Sequence, residues 1–385
     1  MRSLVILADA FGFHYMNDFH LNSKLLFSRP LESLIGYSPG IYASIWSSAR
    51  QSAHGVWTQW VLSEEYEPTP IHLDHTRWIA EYLLKGVAGK VGRRQLHPAV
   101  PSPLGRFFKF RNDISSEKPM YGLESNSKTI FEHMDDFDIS YRFISHSLLL
   151  DGFTSLEGRV AGVGDSDVAF VSIGDFDHLG HKFGPKSLRL RQFGLDFLNI
   201  IDHLALTIGC DVFVFADHGM HPIYKTVDIH ARLNKLERRE SLVLGKDYLY
   251  FLDGTLLRMW LFTNRAGDAI RNELGKWDEG NIMGEDALKA NGLQFNSRNR
   301  WRHGDVFFLA KPCVGIYPSF WHPYPRSFLR GLHGYSPKSH YSYGAFLSTV
   351  STNREKQMSV YDVAPTIASY LGLPNHPHWI GSSFL

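Results

Sequence analysis

The sequence predicts an α/β protein with an open, mainly parallel sheet, helices on both faces and additional cap insertions. Two observations predict this class. Short apolar runs of strand length end in acidic residues, as buried parallel strands do beside a ligand crevice. Longer segments carry apolar residues every three or four positions, which is the spacing of helices packed on a sheet. We therefore expect one core domain over residues 1–385, interrupted by two insertions.

Three apolar runs are expected to place acidic and histidine side chains in one cleft. Parallel strands present their carboxyl ends at the same edge of a sheet, so residues that follow them lie close together. Carboxylates mixed with imidazoles are typical ligands of Zn²⁺. The runs span residues 4–7, 168–173 and 212–216, and they are followed by Asp9, by Asp175, Asp177, His178 and His181, and by Asp217 and His218.

Two helices are predicted from the spacing of apolar residues. The first follows Pro185, carries apolar residues from Leu190 to Ile208, and has Gly209 available as its C-terminal cap. It leads directly into the run at 212–216. The second begins near Asp362 and stops at Gly372 and Pro374.

Two segments depart from this α/β pattern and are interpreted as insertions. Residues from about 57 to 125 are rich in proline and show little strand periodicity, which favours a cap. Residues from about 242 to 330 combine strand-like pieces at 248–252 and 257–262 with a helical run at 268–274. This second insertion is expected to form a smaller α+β subdomain.

Composition limits the classes of partner. The chain has 40 basic and 39 acidic residues, a formal net charge of +1, so it lacks the basic footprint of a protein that binds nucleic acid polymers. We expect a small substrate, and the composition carries no information on oligomeric state. No apolar stretch reaches the roughly 18 residues of a membrane span, and the first strand starts at about residue 3, which favours a cytoplasmic protein. Cys210 and Cys313 lie in apolar sequence, as inert core thiols do.

The motifs that carry this chemistry resemble those of a known superfamily. Asp9, Asp177-x-x-x-His181 with Gly184-Pro185 after it, Asp217-His218-Gly219-Met220 and His333-Gly334-Tyr335 resemble the alkaline phosphatase superfamily. The resemblance is strongest to its type I phosphodiesterase/nucleotide pyrophosphatase branch. It extends to residues 251–255 and 360–366, and it covers nearly the whole chain outside the first insertion.

The resemblance implies two divalent metal ions, zinc in the first place and manganese as the alternative. It implies that Asp177, His181 and His333 hold one ion, and that Asp9, Asp217 and His218 hold the other. Asp175 and His178 are extra polar residues in the same loop. They are either partners that orient the ligands or solvent-exposed side chains.

The resemblance also implies a nucleophile. The family places a Thr or Ser at a helix N-terminus, sixteen positions before a His-Gly pair, and His54-Gly55 puts Ser38 at that position. Ser38 is therefore expected to act as nucleophile and metal ligand. Gln59 stands where the family has an Asn that donates to a phosphoryl oxygen. Because the residues after Ser38 differ from the family pattern, Ser44 and Ser47 are alternative nucleophiles.

These inferences predict a metal-dependent hydrolase of phosphate esters that works through a covalent phosphoseryl intermediate. A phosphodiesterase is favoured, because Gln59 offers a neutral donor suited to a singly charged phosphate. A phosphomonoesterase and a phosphoryl transferase of the same superfamily are the alternatives. A sulfatase is disfavoured, because Ser38-Pro39-Gly40 lacks the sulfatase motif. The alternative from another class is a non-catalytic relic that binds metal or ligand.

Overall fold

A computed structural model describes residues 3–23, 26–73, 100–111, 114–115, 117–293, 297–321, 329–352 and 357–385. The strands are β1 (Ser3–Ala8), β2 (Phe27–Glu32), β3 (Trp60–Leu62), β4 (Phe108–Phe110), β5 (Tyr141–His146), β6 (Val168–Ile173), β7 (Asp211–Phe215), β8 (His221–Pro222), β9 (Lys225–Val227), β10 (Tyr248–Leu252), β11 (Leu256–Leu261), β12 (Gly280–Ile282), β13 (Val306–Ala310), β14 (Val314–Ile316), β15 (Gly331–Leu332), β16 (Gly344–Ser348) and β17 (Met358–Ser359).

The helices of the described residues are distributed along the whole chain. They are α1 (His14–Asp18), α2 (Ser38–Ser47), α3 (Gln51–His54), α4 (Ser102–Gly105), α5 (Ile130–Asp136), α6 (Phe153–Ala161), α7 (Asp175–Phe183), α8 (Leu188–Ile208), α9 (Ile229–Glu240), α10 (Asn264–Leu274), α11 (Glu285–Ala290), α12 (Ser297–His303) and α13 (Val363–Tyr370). Single 3₁₀ turns occur at His340–Ser342 and Val360–Asp362.

A seven-stranded sheet forms the centre of the molecule. Its strand order is β17-β2-β16-β7-β1-β6-β5. The strands β7, β1, β6 and β5 are parallel to one another, whereas β16 runs antiparallel to β7 and to β2. The predicted open and mainly parallel sheet is therefore confirmed.

Helices cover both faces of this sheet, as predicted. All six residues of β1 are buried, and successive side chains of the strand point to opposite faces. Leu4 and Ile6 belong to an apolar core that includes residues of α6, α7 and α8. Val5 and Leu7 belong to a second core that includes residues of α2, α5 and α13. Burial of each such side chain contributes about 1.5–3 kcal/mol, which explains why β1 is apolar throughout.

The two predicted helices are confirmed. The first is α8, where the Ser187 side chain accepts a hydrogen bond from the Leu190 amide at the N-terminus. It ends at Gly209, whose φ of 66° is the left-handed conformation that favours glycine. The second is α13, which ends at Tyr370 and is followed by Leu371 and Gly372.

A third apolar core lies in the region of the predicted α+β insertion. Strands β10, β11, β13 and β12 form an antiparallel sheet in that order, and α10 packs against it. The predicted strands near 248–252 and 257–262 and the predicted helical run at 268–274 are confirmed as β10, β11 and part of α10. The same core includes residues of α9 and of the β3–β4 pair. Residues 74–99 of the predicted cap lie outside the described residues.

Two further features concern membrane-spanning helices and the cysteine thiols. In the part of the chain that the structure describes, no helix is both long and apolar enough to span a membrane. Cys210 is buried, as expected, whereas Cys313 is only half-buried, and both are free thiols.

Candidate metal centre and active site

Neighbouring strands deliver three carboxylates to one edge of the central sheet. Strand β1 lies between β6 and β7, with Leu7 in register with Ser172 and Phe215. Asp9 directly follows β1, Asp217 comes two residues after β7, and Asp177 lies in the first turn of α7 after β6. Because the three strands are parallel, their carboxyl ends coincide, and the acids that follow them meet.

One group of candidate ligands contains Asp9, Asp217 and His218. One ligand atom from each lies within 4.8 Å of the others. His218 Nε2 is 3.5 Å from Asp9 Oδ1 and 3.2 Å from Asp217 Oδ2. The Ala10 amide donates to Asp217 Oδ1 at 3.2 Å, so the other oxygen of this carboxylate faces the group. This is the set that the sequence assigned to one ion.

A second group contains Asp177, His218 and His333, again within 4.8 Å of one another. Asp177 Oδ1 is 3.1 Å from His181 Nε2 and 3.6 Å from His333 Nε2. His218 and His333 stack with ring centroids 3.8 Å apart, so His218 belongs to both groups. The six predicted ligands therefore form one continuous cluster.

Backbone contacts orient two of the imidazoles. His181 Nδ1 lies 2.9 Å from the Gly331 carbonyl, and His218 Nδ1 lies 2.9 Å from the Gly219 carbonyl. In each ring an Nδ1–H that donates to the carbonyl leaves Nε2 as a lone-pair donor toward the cluster. Any side chain at Gly219 would collide with the Tyr341 carbonyl oxygen, which explains the glycine of the Asp-His-Gly motif.

The electrostatics of the cluster fit bound cations. Burial raises the pKa of Asp9 well above its ordinary value, and the charges of Asp217 and Asp177 raise it further. Burial also raises the pKa of Asp217, to about 7. Burial opposes ionisation of Asp177 as well, but His181 and His333 outweigh it and lower the pKa of that carboxyl.

Three carboxylate oxygens of the cluster are buried without a hydrogen-bond partner among the described residues. They are Asp9 Oδ1, Asp177 Oδ1 and Asp217 Oδ2. Such oxygens are costly unless another group satisfies them. Carboxylates that repel one another and imidazoles whose Nε2 atoms face the same cluster are together suited to divalent ions such as Zn²⁺. The residues present therefore fit the metals that the family implies.

Ser38 stands beside this cluster at the first residue of α2. Its Oγ lies 2.9 Å from His218 Nε2. Tyr37 before it is extended, and Pro39 occupies the second helical position, where the missing N–H costs nothing. The helix N-terminus carries partial positive charge, which favours negative charge developing at the Ser38 oxygen.

The two alternative nucleophiles are placed elsewhere. Ser44 Oγ lies 2.9 Å from His54 Nε2 in the interior, and Ser47 Oγ donates to the Ala43 carbonyl. Both side chains are fully buried. The His54 ring also accepts from the Val56 amide, so it stabilises a turn in the core.

The side chains of Asp175 and His178 do not orient the candidate metal ligands. Asp175 accepts hydrogen bonds from the Ser147 hydroxyl and from the Leu148 amide, both at 2.7 Å. It therefore holds the loop after β5. His178 is exposed on the surface of α7. Of the two interpretations of His178, solvent exposure is the one that the structure supports.

A cavity of about 470 Å³ opens in front of Ser38. Gln59 lines it, with Nε2 3.5 Å from the Ile114 carbonyl oxygen. Tyr37, Phe110 and Trp321 supply aromatic walls. None of the described residues that line the cavity is a lysine or an arginine. Cations held by the candidate ligands would therefore be the main source of positive charge available to an anion there.

Two features of the site were not predicted from the sequence. Tyr42 donates a hydrogen bond to Asp9, and a buried Arg258–Asp253 pair supports the cavity wall. The contact of Tyr42 could have been found from the sequence, because a residue four positions after Ser38 lies on the same side of a helix. The second had no sequence signal, since Arg258 on β11 and Asp253 after β10 meet only when the hairpin folds.

The fold and this cluster define the protein as a member of the alkaline phosphatase superfamily of phosphoric ester hydrolases. The family model for type I phosphodiesterase/nucleotide pyrophosphatase matches residues 42–336, most of the chain, and the protein belongs to that family. The match begins after Asp9 and Ser38, whose roles therefore rest on geometry and on the resemblance of the motifs. No curated protein matches the chain in sequence.

Several solved structures share this fold. Human ectonucleotide pyrophosphatase/phosphodiesterase 5 is 14% identical, with a TM-score of 0.66 over 99% of this chain and 97% of that one. Phosphonoacetate hydrolase from Sinorhizobium meliloti, in complex with phosphonoacetate, is 12% identical, with a TM-score of 0.64 over 94% of each chain. An inactive variant of the murine ectonucleotide enzyme in complex with AMP is 14% identical, with a TM-score of 0.62 over 98% of this chain and 96% of that one. At these identities the likeness establishes the fold.

Proposed function

We propose that the protein is a metal-dependent phosphodiesterase that forms a covalent phosphoseryl intermediate on Ser38. The observation that carries this proposal is the position of Ser38 Oγ, 2.9 Å from His218 Nε2 at the N-terminus of α2. His218 belongs to both groups of candidate ligands. The hydroxyl therefore faces the place where two cations and a phosphoryl group would meet.

The candidate ligands divide into two adjacent sets, with His218 between them. Asp9, Asp217 and His218 would hold one ion, and Asp177, His181 and His333 would hold the other. Two divalent ions, when bound, lower the pKa of an oxygen nucleophile and neutralise charge on the phosphoryl oxygens. Zinc suits this mixed oxygen and nitrogen set, and manganese is the alternative.

The side chains of the protein account for the rest of the reaction. Ser38 loses its proton to solvent in the cavity, its oxygen bonds to phosphorus, and the bond to the leaving alcohol oxygen breaks. The leaving oxygen takes up a proton from solvent. Water then attacks phosphorus and loses a proton to solvent, the bond to Ser38 breaks, and the serine oxygen takes up a proton to regenerate the hydroxyl.

The lining of the cavity favours a diester over a monoester. A phosphodiester carries one negative charge at neutral pH, whereas a monoester carries nearly two. Gln59 offers a neutral amide donor, and no lysine or arginine is found among the described lining residues. The second charge of a monoester would thus lack a side-chain partner here. The complexes of the related enzymes with AMP and phosphonoacetate support small phosphorus-containing anions as the substrate class.

Turnover of two chromogenic esters tests the proposal. The zinc-loaded protein is expected to hydrolyse bis(p-nitrophenyl) phosphate with a higher kcat/KM than p-nitrophenyl phosphate. The reverse order would identify a phosphomonoesterase. Phosphorylated alcohol formed in the presence of an added acceptor would identify a transferase. A protein that hydrolyses neither ester and holds no divalent ions after dialysis against zinc would refute the proposal.

A further inference from the structure

Helix α2 presents a second hydroxyl to the cluster of candidate metal ligands. Tyr42 lies four residues, one helical turn, after Ser38, so both side chains lie on the same side of α2. Ser38 reaches His218 at the end of β7, and Tyr42 reaches Asp9 at the end of β1. One helix therefore contacts the ends of two adjacent strands of the central sheet.

The contact between Tyr42 and Asp9 gives the two oxygens of the Asp9 carboxylate different surroundings. Tyr42 is almost completely buried, and its hydroxyl donates to Asp9 Oδ2 at 2.5 Å. Asp9 Oδ1 is buried without a hydrogen-bond partner among the described residues and lies 3.5 Å from His218 Nε2. One oxygen is thus held by the phenol, while the other is directed at the candidate ligands.

A second tyrosine–aspartate pair in the same sheet provides a comparison. Unlike Asp9, its aspartate has both carboxylate oxygens hydrogen-bonded. At the opposite end of β7, Tyr370 donates to Asp211 Oδ2 at 2.7 Å. There the other oxygen, Oδ1, accepts from Thr349 Oγ1 at 3.0 Å, so both carboxylate oxygens are satisfied by protein groups. The Asp211 pair is structural. The Asp9 pair leaves one oxygen for a ligand.

The other two residues of this group are held by the backbone. The Ala10 amide binds Asp217 Oδ1, and the Gly219 carbonyl lies against His218 Nδ1. Asp9 is the member of the group whose second carboxylate oxygen is held by a tyrosine phenol. A substitution at position 42 can therefore remove the outer contact of one ligand while the other two remain held.

We propose that Tyr42 is a positioning residue: its phenol fixes the rotation of the Asp9 carboxylate so that Oδ1 coordinates the ion shared with Asp217 and His218. The inference rests on the proposed function, because it requires that this group binds a metal. Groups that orient metal ligands in this way typically contribute 10- to 100-fold in metal affinity. Tyr42 acts through Asp9 and has no role in the covalent step.

Zinc affinity of the metal-free protein is the test, measured by competition with a chromophoric chelator. Tyr42→Phe is expected to weaken one of two zinc sites by about 10- to 100-fold and to leave the other within a few fold. Tyr370→Phe is the matched control, since it also removes a phenol–carboxylate hydrogen bond, and it is expected to bind both ions as the unaltered protein does. Turnover of the Tyr42→Phe variant should recover when free zinc is raised above the weakened dissociation constant.

A double-mutant cycle separates this role from a general structural one. In an Asp9→Asn background, Tyr42→Phe should cause no further loss of zinc affinity, because the two residues act as one unit. Additive losses would overturn the inference. Tyr42→Met, which also lacks the donor, replaces Tyr42→Phe in all measurements if the latter does not fold, as judged by circular dichroism of the metal-free protein.

Two further outcomes distinguish the inference from the proposed function. If the unaltered protein binds no divalent ion, the proposed function fails, and the inference fails with it. If the unaltered protein binds two ions and Tyr42→Phe binds them equally well, only the inference fails. A loss of turnover at saturating zinc with unchanged zinc affinity would also overturn it, because the phenol would then act on the substrate.

Discussion

Arg258 and Asp253 form an ion pair inside the third apolar core, with Arg258 Nε 2.9 Å from Asp253 Oδ2 and both side chains almost completely buried. The pair joins β11 to the end of β10. Arg258 Nη1 also donates to the Trp60 carbonyl of β3, and Trp321 Nε1 donates to Asp253 Oδ1. Since Asp253 and Trp321 line the cavity, this network supports part of the cavity wall.

Removing one partner of this pair should be costly. Arg258→Met is expected to lower the free energy of unfolding by about 3–5 kcal/mol, because it leaves the Asp253 carboxylate buried without a counter-charge. Urea denaturation measures the change. The double variant Arg258→Met with Asp253→Leu should recover a large part of the loss, since it removes the uncompensated charge. A single variant as stable as the unaltered protein would contradict this description of the wall.

Ser38→Ala is expected to lower turnover of bis(p-nitrophenyl) phosphate by several orders of magnitude, because no other described hydroxyl on α2 takes its place at His218. Zinc content after dialysis should change little, since the six other ligands remain. Ser44→Ala is the matched control on the same helix, because its hydroxyl points into the core toward His54. It should retain turnover. Unchanged turnover in Ser38→Ala would refute the nucleophile.

Asp217→Asn should stabilise the metal-free protein while it abolishes stabilisation by zinc. Burial raises the pKa of Asp217 to about 7 from an ordinary value of 3.8, so the folded protein holds this proton more tightly than the unfolded chain does. Its stability therefore falls as the pH rises from about 4 to 7. At pH 8 the variant without metal should be more stable by about 1–3 kcal/mol in urea.

The gap between the two metal-free proteins should close as the pH is lowered below the ordinary value of 3.8, where the unaltered carboxyl becomes protonated in both states. Added zinc should raise the melting temperature of the unaltered protein and leave that of Asp217→Asn nearly unchanged. A metal-free Asp217→Asn protein that is less stable at pH 8 would show that the carboxylate is not a source of strain.

His54 should make the protein sensitive to acid. Burial lowers the pKa of His54 to about 3 from an ordinary value of 6.5, so the unfolded chain binds a proton that the folded protein excludes. This contribution to stability is complete above pH 6.5 and is lost as the pH falls toward 3. Between pH 7 and 5 it amounts to about 2 kcal/mol. The difference in unfolding free energy between the unaltered protein and His54→Gln should shift by this amount, and a constant difference would contradict it.

Local sequence patterns predicted the parts of the fold that depend on short-range physics. The spacing from Leu190 to Ile208 predicted α8, because one face of a helix must be apolar to pack on a sheet. The apolar runs predicted β1, β6 and β7, since a parallel strand is buried on both faces. The antiparallel direction of β16 could not be predicted in this way, because side chains alternate between the two faces of a sheet whichever way a strand runs.

The convergence of Asp9, Asp177 and Asp217 followed from the sequence together with one topological rule, that parallel strands end at a common edge. The sharing of His218 between two groups did not follow, since it depends on how loops bring His333 to within 3.8 Å of the His218 ring centroid. Asp175 had the same sequence context as Asp177. Only the position of the loop after β5 showed that it bonds to Ser147.

By itself, the sequence determined the fold class and the strand ends that carry acids, because apolar periodicity and residue order along the chain encode these directly. The candidate nucleophile was implied by the resemblance of the motifs to a known family. Only the tertiary structure decided which side chains touch. The hydrogen bond from Tyr42 to Asp9, the paired charges of Arg258 and Asp253 and the shared position of His218 all join residues from separate elements. Such contacts depend on ångström-scale packing, and no local pattern of residue types specifies a distance between segments far apart in the chain.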